Sequence, residues 1–340
     1  MMKRIRQFMF VVAAVTILFG SITIAHAADE RNYLLATAST GGPYYPVGVA
    51  LSTLVKVKLQ PKQKIGMSAI NSAGSGENIK LLRENEVQFA ILQGLYGAYA
   101  WNGTGPIESE GPQKNLRSVS MLWQNVEHYA VLKKFAKTGT ISDMVALKGE
   151  AMSMGKKNSG TLGSNAVILG NLGVDIEKDY NLIYVGYGPT ADALQNGQIS
   201  GFGIPAGVPA SAVTKAMANL GDDMVVLDLT DEQMKQADGG LGLWTRYVIP
   251  AETYPGQKKD INTIAQPNFL GVRADVDEDA VYQITKTIYE NLPFLNAIHG
   301  ATKAMAIEKA IAGLPMPLHP GAAKYYQEVG IEIPVRLLVK

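Results

Sequence analysis

The 340-residue chain has no cysteine, so no disulfide framework can hold it together and a large ordinary hydrophobic core must do so. Histidine is almost as scarce: there are four, and only His128, His299 and His319 lie beyond the first 27 residues. None belongs to an HExxH pair, no GxSxG nucleophile elbow is present, and no cluster has metal-ligand spacing. His319, set between prolines in "PLHPGA" and before a helical pattern, reads as structural. Excess charge is also missing. The formal net charge is +1, and no basic stripe marks the chain as a nucleic-acid protein. The three tryptophans and thirteen methionines scatter without a cofactor pattern. After the first 27 residues no stretch is apolar enough to span a bilayer.

The start of the chain is different in kind. A basic "MMKRIRQ" precedes the apolar "FMFVVAAVTILFGSITIA", and "AHA" at residues 25–27 has the small-x-small form of a cleavage site. This is the pattern of a secretory signal peptide, residues 1–27, cleaved near Ala27 to leave a periplasmic chain beginning near Ala28. Its removal takes away Lys3, Arg4 and Arg6 and no acid, which moves the net charge to −2. The remaining length suits two lobes.

Beyond the leader one unit recurs: a short apolar or β-branched run, a Gly-rich loop, then a helical pattern. "NYLLATA" leads into "VGVALSTLVKVKL", "KIGMSAI" into "ENIKLLREN", "EAMSMG" into "TLGSNAVILGNLG", "NLIYVGY" into "PTADALQNGQ" and "ISGFGIPAG" into "VPASAVTKAMAN". Such alternation predicts parallel α/β sheets, with the Gly-rich loops gathered beyond the carboxyl ends of the strands, where such sheets bind ligands. Two β-prone stretches, residues 127–136 and 268–276, are the expected crossings between lobes. In "DEDAVYQITKTIYENLPFLNAI", Val281, Ile284, Ile288 and Leu292 fall at helical spacing.

The candidate chemistry sits in the loops. "TASTGGPYYPVG" combines adjacent Gly41 and Gly42, which allow close backbone approach, with Tyr44 and Tyr45; two core rings beside a tight turn fit equally well. "GKKNSGT" has two glycines five apart but no lysine between Gly160 and Thr161, which excludes a nucleotide-hydrolysing phosphate loop. What survives is a helix start at Ser159, Gly160 and Thr161 suited to capping, to an anion, or to both. "NSAGSGEN" repeats the arrangement with Ser72, Gly74 and Ser75, where Ser75 and Asn78 could cap the helix. Gln93 would present its amide at the same edge. Trp244, Tyr247 and Tyr254 could wall a cleft or fill a core.

Taken in order, "STGGPYYPVG", "GSGENIKLL", "VQFAILQ", "SGT", "AGVP", "TYPGQ", "PNFLGVRADV" and "GLPMPLHPGAAKYYQEVG" resemble the TAXI family of solute receptors of tripartite ATP-independent periplasmic (TRAP) transporters. The resemblance covers nearly all of the chain after the leader. It implies a type II periplasmic-binding-protein fold, an α/β fold of two lobes with a ligand cleft between them. Lobe 1 would be residues 28–127 with 272–340, and lobe 2 residues 128–271. It implies a monomeric receptor, not an enzyme, with no cofactor and no metal, that passes a small carboxylate (glutamate-like or a C4–C5 acid) to integral-membrane TRAP permease subunits. Under that reading Gly41 and Gly42 admit the ligand to the backbone and Tyr44 and Tyr45 roof it. Thr40, Tyr187, Gly207 and Tyr254 complete the ligand-binding set. Two departures, "GLYG" after Gln93 and "GKKN" before Ser159, bear on which ligand is bound, and Lys156 and Lys157 either add positive charge to the cleft or face solvent. The alternatives are a receptor serving an ABC permease or a sensor kinase, and an exported enzyme on the same fold.

Overall fold

Two strands far longer than the usual five or six residues organise the protein. A computed structural model describes residues 30–339, so the expected leader and its cleavage site lie outside the described residues. β4 (Leu116–Leu132) and β10 (Ile261–Arg273) run 17 and 13 residues, rich in β-branched and aromatic side chains and buried along nearly their whole length. They pair antiparallel from Leu116↔Arg273 to Val126↔Ala265.

One half of the molecule hangs from each end of this pair. At one end, β3 (Phe89–Gln93) lies antiparallel to β10 over Asn268–Val272. β1 (Arg31–Ala36) is parallel both to β3 and to β2 (Ile65–Ile70). At the other end β4 changes partner: from Val126 to Val131 it pairs with β7 (Gly201–Ala206), which is followed by β5 (Ala151–Ser153) and the two-residue β6 (Asn181–Leu182). β8 (Met224–Val226) and β9 (Thr245–Ile249) add to the far ends of β4 and β10. The order is β2-β1-β3-β10-β4-β7-β5-β6, a curled sheet with helices on its faces.

The expectation of purely parallel sheets therefore needs correcting. Within each half β1, β2 and β3, or β5, β6 and β7, are parallel, but β4 and β10 oppose every neighbour. The reason is topological: a chain that passes into the second half and later returns makes its two passes in opposite directions.

The helices follow the sequence closely. Tyr44–Lys58 buries Val47, Leu51, Leu54 and Val55 at three- and four-residue spacing. Tyr44 and Tyr45 thus open a helix instead of lying in the loop. In Glu278–Glu290, Val281, Ile284 and Ile288 are buried, and the Asp277 side chain accepts from the Ala280 N–H at 2.8 Å, capping the start. The helix does not reach Leu292 as its spacing suggested. The chain leaves helical backbone at Asn291 (φ −130°), and a separate helix, Leu292–Ile298, begins with Pro293 in its first turn, where a missing N–H costs no intrahelical bond. Among the described residues no helix is long and apolar enough to cross a membrane.

Candidate functional site

Within each half the parallel strands end at one edge and hand the chain to a helix, and because the strands of the two halves run in opposite directions these two edges face each other. In the first half the helices are Tyr44–Lys58 and Ser75–Arg83; in the second, Gly160–Asn171 and Tyr187–Gln195. Their starts face one another across a cleft of about 490 Å³, its open mouth included. The first half lines it with Ser39, Gly42, Tyr44, Gly74, Ser75 and Gln93, the second with Lys156, Ser159, Gly160, Thr161, Gly186, Tyr187 and Pro205, and the hinge strand β4 with Asn125.

The side-chain hydroxyls here are largely committed to the protein. Ser159 caps its helix, accepting from the Leu162 N–H at 3.1 Å and donating to the Lys156 carbonyl at 2.6 Å. The Tyr187 hydroxyl donates to the Pro205 carbonyl at 2.6 Å, so the 2.7 Å contact with Thr161 has the threonine donating. Tyr44 donates to Asn268 Oδ1 at 2.5 Å, and burial pushes the phenols of Tyr44 and Tyr187 far above their usual range, keeping both neutral. The expected Ser75–Asn78 cap is absent. Gly74, at φ +122°, occupies the N-cap, while Asn78 Nδ2 donates to the carbonyls of Thr37 (2.8 Å) and Ile91 (2.9 Å), and Ser75 Oγ accepts from the Gln93 N–H (3.1 Å). These bonds pin the helix start to the strand ends.

What the site offers a ligand is mainly backbone. The first N–H groups of each helix have no intrahelical acceptor and carry the positive end of the helix dipole. Lys156 adds a full positive charge, and none of the described lining residues is acidic. Lys157 turns away, its ammonium 5.0 Å from the centre of the Tyr184 ring.

The two halves touch across the cleft, and the touching surfaces are rich in glycine. Gln93 Nε2 donates to the Gly160 carbonyl at 2.9 Å, the Glu77 N–H to the Asn158 carbonyl at 3.0 Å, and Ser211 Oγ to the Gly41 carbonyl at 3.1 Å. A Cβ on Gly41 would lie 2.8 Å from the Gly188 nitrogen, and one on Gly42 3.2 Å from the Tyr187 ring. Gly41 and Gly42 thus admit the opposite half of the protein.

Of the residues singled out in the sequence, Gly42, Tyr44, Gly74, Ser75, Gln93, Ser159, Gly160, Thr161 and Tyr187 line the cleft. Six do not. Thr40 is exposed and Tyr45 half-buried beside the cleft. Gly41 is the inter-half contact just described. Ser72 donates to the Thr37 carbonyl at 3.0 Å. Gly207 lies against Trp123 and Ala301, where a Cβ would come within 2.7 Å of Ala301. Tyr254 is in the core, accepting from the Ala210 N–H at 3.0 Å and donating to His128 Nε2 at 2.7 Å. Trp244 is buried too, donating from its indole to Glu127 Oε1 at 3.2 Å.

Two titratable groups lie beneath the cleft floor on opposite faces of β4. Burial pushes Glu127 up to about 7, even with Ser164 donating to Oε1 at 2.9 Å. His128 faces the Ile204 carbonyl at 3.0 Å through Nδ1, which must carry the proton, and burial holds it down to about 4. Both ring nitrogens are occupied by the fold. His319, as its sequence setting indicated, caps the Pro320–Glu328 helix by accepting from the Gly321 N–H at 3.2 Å. Asn125 and Glu127 were missed because alternation within a β-prone run marks a residue as inward-facing but not as lying at the point where two halves meet.

Residues 35–330 match the NMT1-like family. The chain belongs to that family. The fold is similar to that of PhnD1 from Prochlorococcus marinus in complex with methylphosphonate, with a TM-score of 0.53 and 13% identity over 81% of this chain and 91% of that one. It is also similar to MatC from Rhodopseudomonas palustris with bound malate, with a TM-score of 0.52 and 13% identity over 88% of this chain and 99% of that one. This NMT1-like protein shares with them the two-lobed α/β fold of periplasmic solute-binding proteins.

Proposed function

We propose that the protein is an extracytoplasmic receptor that holds a small carboxylate, glutamate-like or a C4–C5 acid, between its two lobes. The observation that carries this is the cleft itself: helix N-termini from both halves and Lys156 converge on a space with no acidic lining residue. Two neighbours of similar fold hold anions, methylphosphonate in one and malate in the other. The lobes part and close about β4 and β10 where their partners change, near residues 123–126 and 265–268, slightly before the crossings read from composition. The TAXI-like motifs support delivery to a TRAP permease, and the leader supports export with cleavage near Ala27.

The test is a thermal-shift screen of the chain from Ala28 onward against amino acids, dicarboxylates, 2-oxoacids, phosphonates, sulfonates, sugars and polyamines. A rise in melting temperature with a carboxylate is expected. Stabilisation only by a neutral sugar or a polyamine overturns the anion reading, and stabilisation only by a phosphonate or sulfonate overturns the carboxylate.

A further inference from the structure

The four helix starts do not spread evenly round the cleft. They meet in two pairs, each drawn from both halves. At one corner the start of Ser75–Arg83 abuts that of Gly160–Asn171: a Cβ on Gly74 would lie 3.6 Å from the Gly160 nitrogen, and one on Gly160 2.9 Å from Ser75 Oγ. At the other the start of Tyr44–Lys58 abuts that of Tyr187–Gln195, where a Cβ on Gly41 would lie 2.8 Å from the Gly188 nitrogen. Lys156 belongs to this second corner. A Cβ on Gly186 would have Lys156 Cδ at 3.8 Å and, from the opposite half, Ser39 Oγ at 3.4 Å.

Both corners are positive, and the acceptors that a cation needs are spent on the fold. Ser159 Oγ accepts from the Leu162 N–H and Ser75 Oγ from the Gln93 N–H. The Gly160 carbonyl receives the Gln93 amide, and the Pro205 carbonyl the Tyr187 hydroxyl. Two carboxyl groups lie near the cleft without lining it. Glu77 accepts from the Ala73 N–H at 2.6 Å, and Glu127, under the floor, has Ser164 and Trp244 donating to Oε1.

We infer that the ligand is a carboxylic acid with no ammonium group (a dicarboxylic, hydroxy or oxo acid), and that Lys156 is the residue that turns amino acids away. The inference rests on reading the cleft as an anion site and narrows it. A carboxylate gains at either corner. An ammonium at either corner meets the positive ends of two helix dipoles and brings three N–H donors to groups that already have theirs. At the second corner it also faces like charge on Lys156. Repulsion across a few ångströms in a partly closed cleft is enough to separate the two kinds of ligand by about tenfold or more. Because each corner is completed by the opposite half, the discrimination acts as the lobes close.

The experiment is calorimetric titration in low salt with matched sets: glutarate, 2-oxoglutarate and glutamate, then succinate, malate and aspartate. In the set that binds, the acids without nitrogen should exceed the amino acid by about tenfold or more. In Lys156→Met the nitrogen-free acid should weaken by about tenfold and the amino acid by less than about threefold, because the amino acid loses an attraction and a repulsion together. An amino acid that binds as tightly as its nitrogen-free partners overturns the inference while leaving the anion site standing. Equal losses of both in Lys156→Met overturn the role given to Lys156. If no acid in either set binds, the reading of the cleft as a site for such acids falls and this inference with it. The wild-type ratio decides the ligand class by itself should Lys156→Met not fold.

Discussion

Replacing Gly76 by alanine should move stability and binding in opposite directions. Gly76 is the second residue of the Ser75–Arg83 helix and its φ is not positive, so alanine suits its backbone. Alanine is the better helix former, by up to about 1 kcal/mol in a helix interior and less in the first turn. Across the cleft the same methyl has no room. It would lie 2.5 Å from the Asn158 carbonyl oxygen and 3.1 Å from its carbon. Those are backbone atoms, and that oxygen also accepts from the Glu77 N–H. Overpacking of this kind costs about 1–3 kcal/mol, and strain on the Glu77 bond adds to it. Within its own half the methyl meets only the edge of the Tyr96 ring, 3.2 Å away, so the closed arrangement bears most of the cost. A penalty of about 2 kcal/mol lowers ligand affinity roughly thirtyfold. Scanning calorimetry without ligand should show a melting temperature unchanged or about a degree higher. Titration with the acid retained by the screen should show the weakened binding. Affinity within about threefold of wild type would refute the reasoning, as would an unliganded midpoint lower by more than about 5 °C.

Three further outcomes are expected. Glu127, raised to about 7 in the fold, withdraws stability as pH rises from its ordinary 4.5 through 7, whereas His128, lowered to about 4, withdraws it as pH falls from 6.5 through 4. Each amounts to about 3 kcal/mol and they offset one another. Urea unfolding of Glu127→Gln should therefore lose stability toward pH 4.5 relative to wild type by about that amount, and parallel pH profiles would contradict it. Lys156→Met should weaken binding of the retained acid by about tenfold in low salt, and Lys157→Met should not, because only Lys156 lines the cleft; equal effects in titration would count against the electrostatic reading. Tyr254→Phe leaves the Ala210 N–H and His128 Nε2 without their partner, and chemical denaturation should show a loss of about 2–4 kcal/mol with affinity unchanged.

What the sequence by itself determined is local. The strand-loop-helix units, the Ser159 cap and the buried stripe of Val281, Ile284 and Ile288 all depend on residues within a few positions of one another. Hydrophobic periodicity and capping are properties of that range. The tertiary structure decided which of those loops meet. Tyr44 reaches Asn268, Gln93 reaches Gly160 and Ser211 reaches Gly41, separations of 224, 67 and 170 residues. Gly41 and Gly42 look the same in sequence whether a ligand or another helix approaches them, because a missing side chain records only that something comes close. Tyr254 likewise has the composition of a cleft wall, yet only the arrangement of β4 and its neighbours brings His128 and the Ala210 N–H to its hydroxyl. Asn125 carries no local signal at all. Its place in the cleft follows from β4 passing where the two halves meet, between its pairings with β10 and β7.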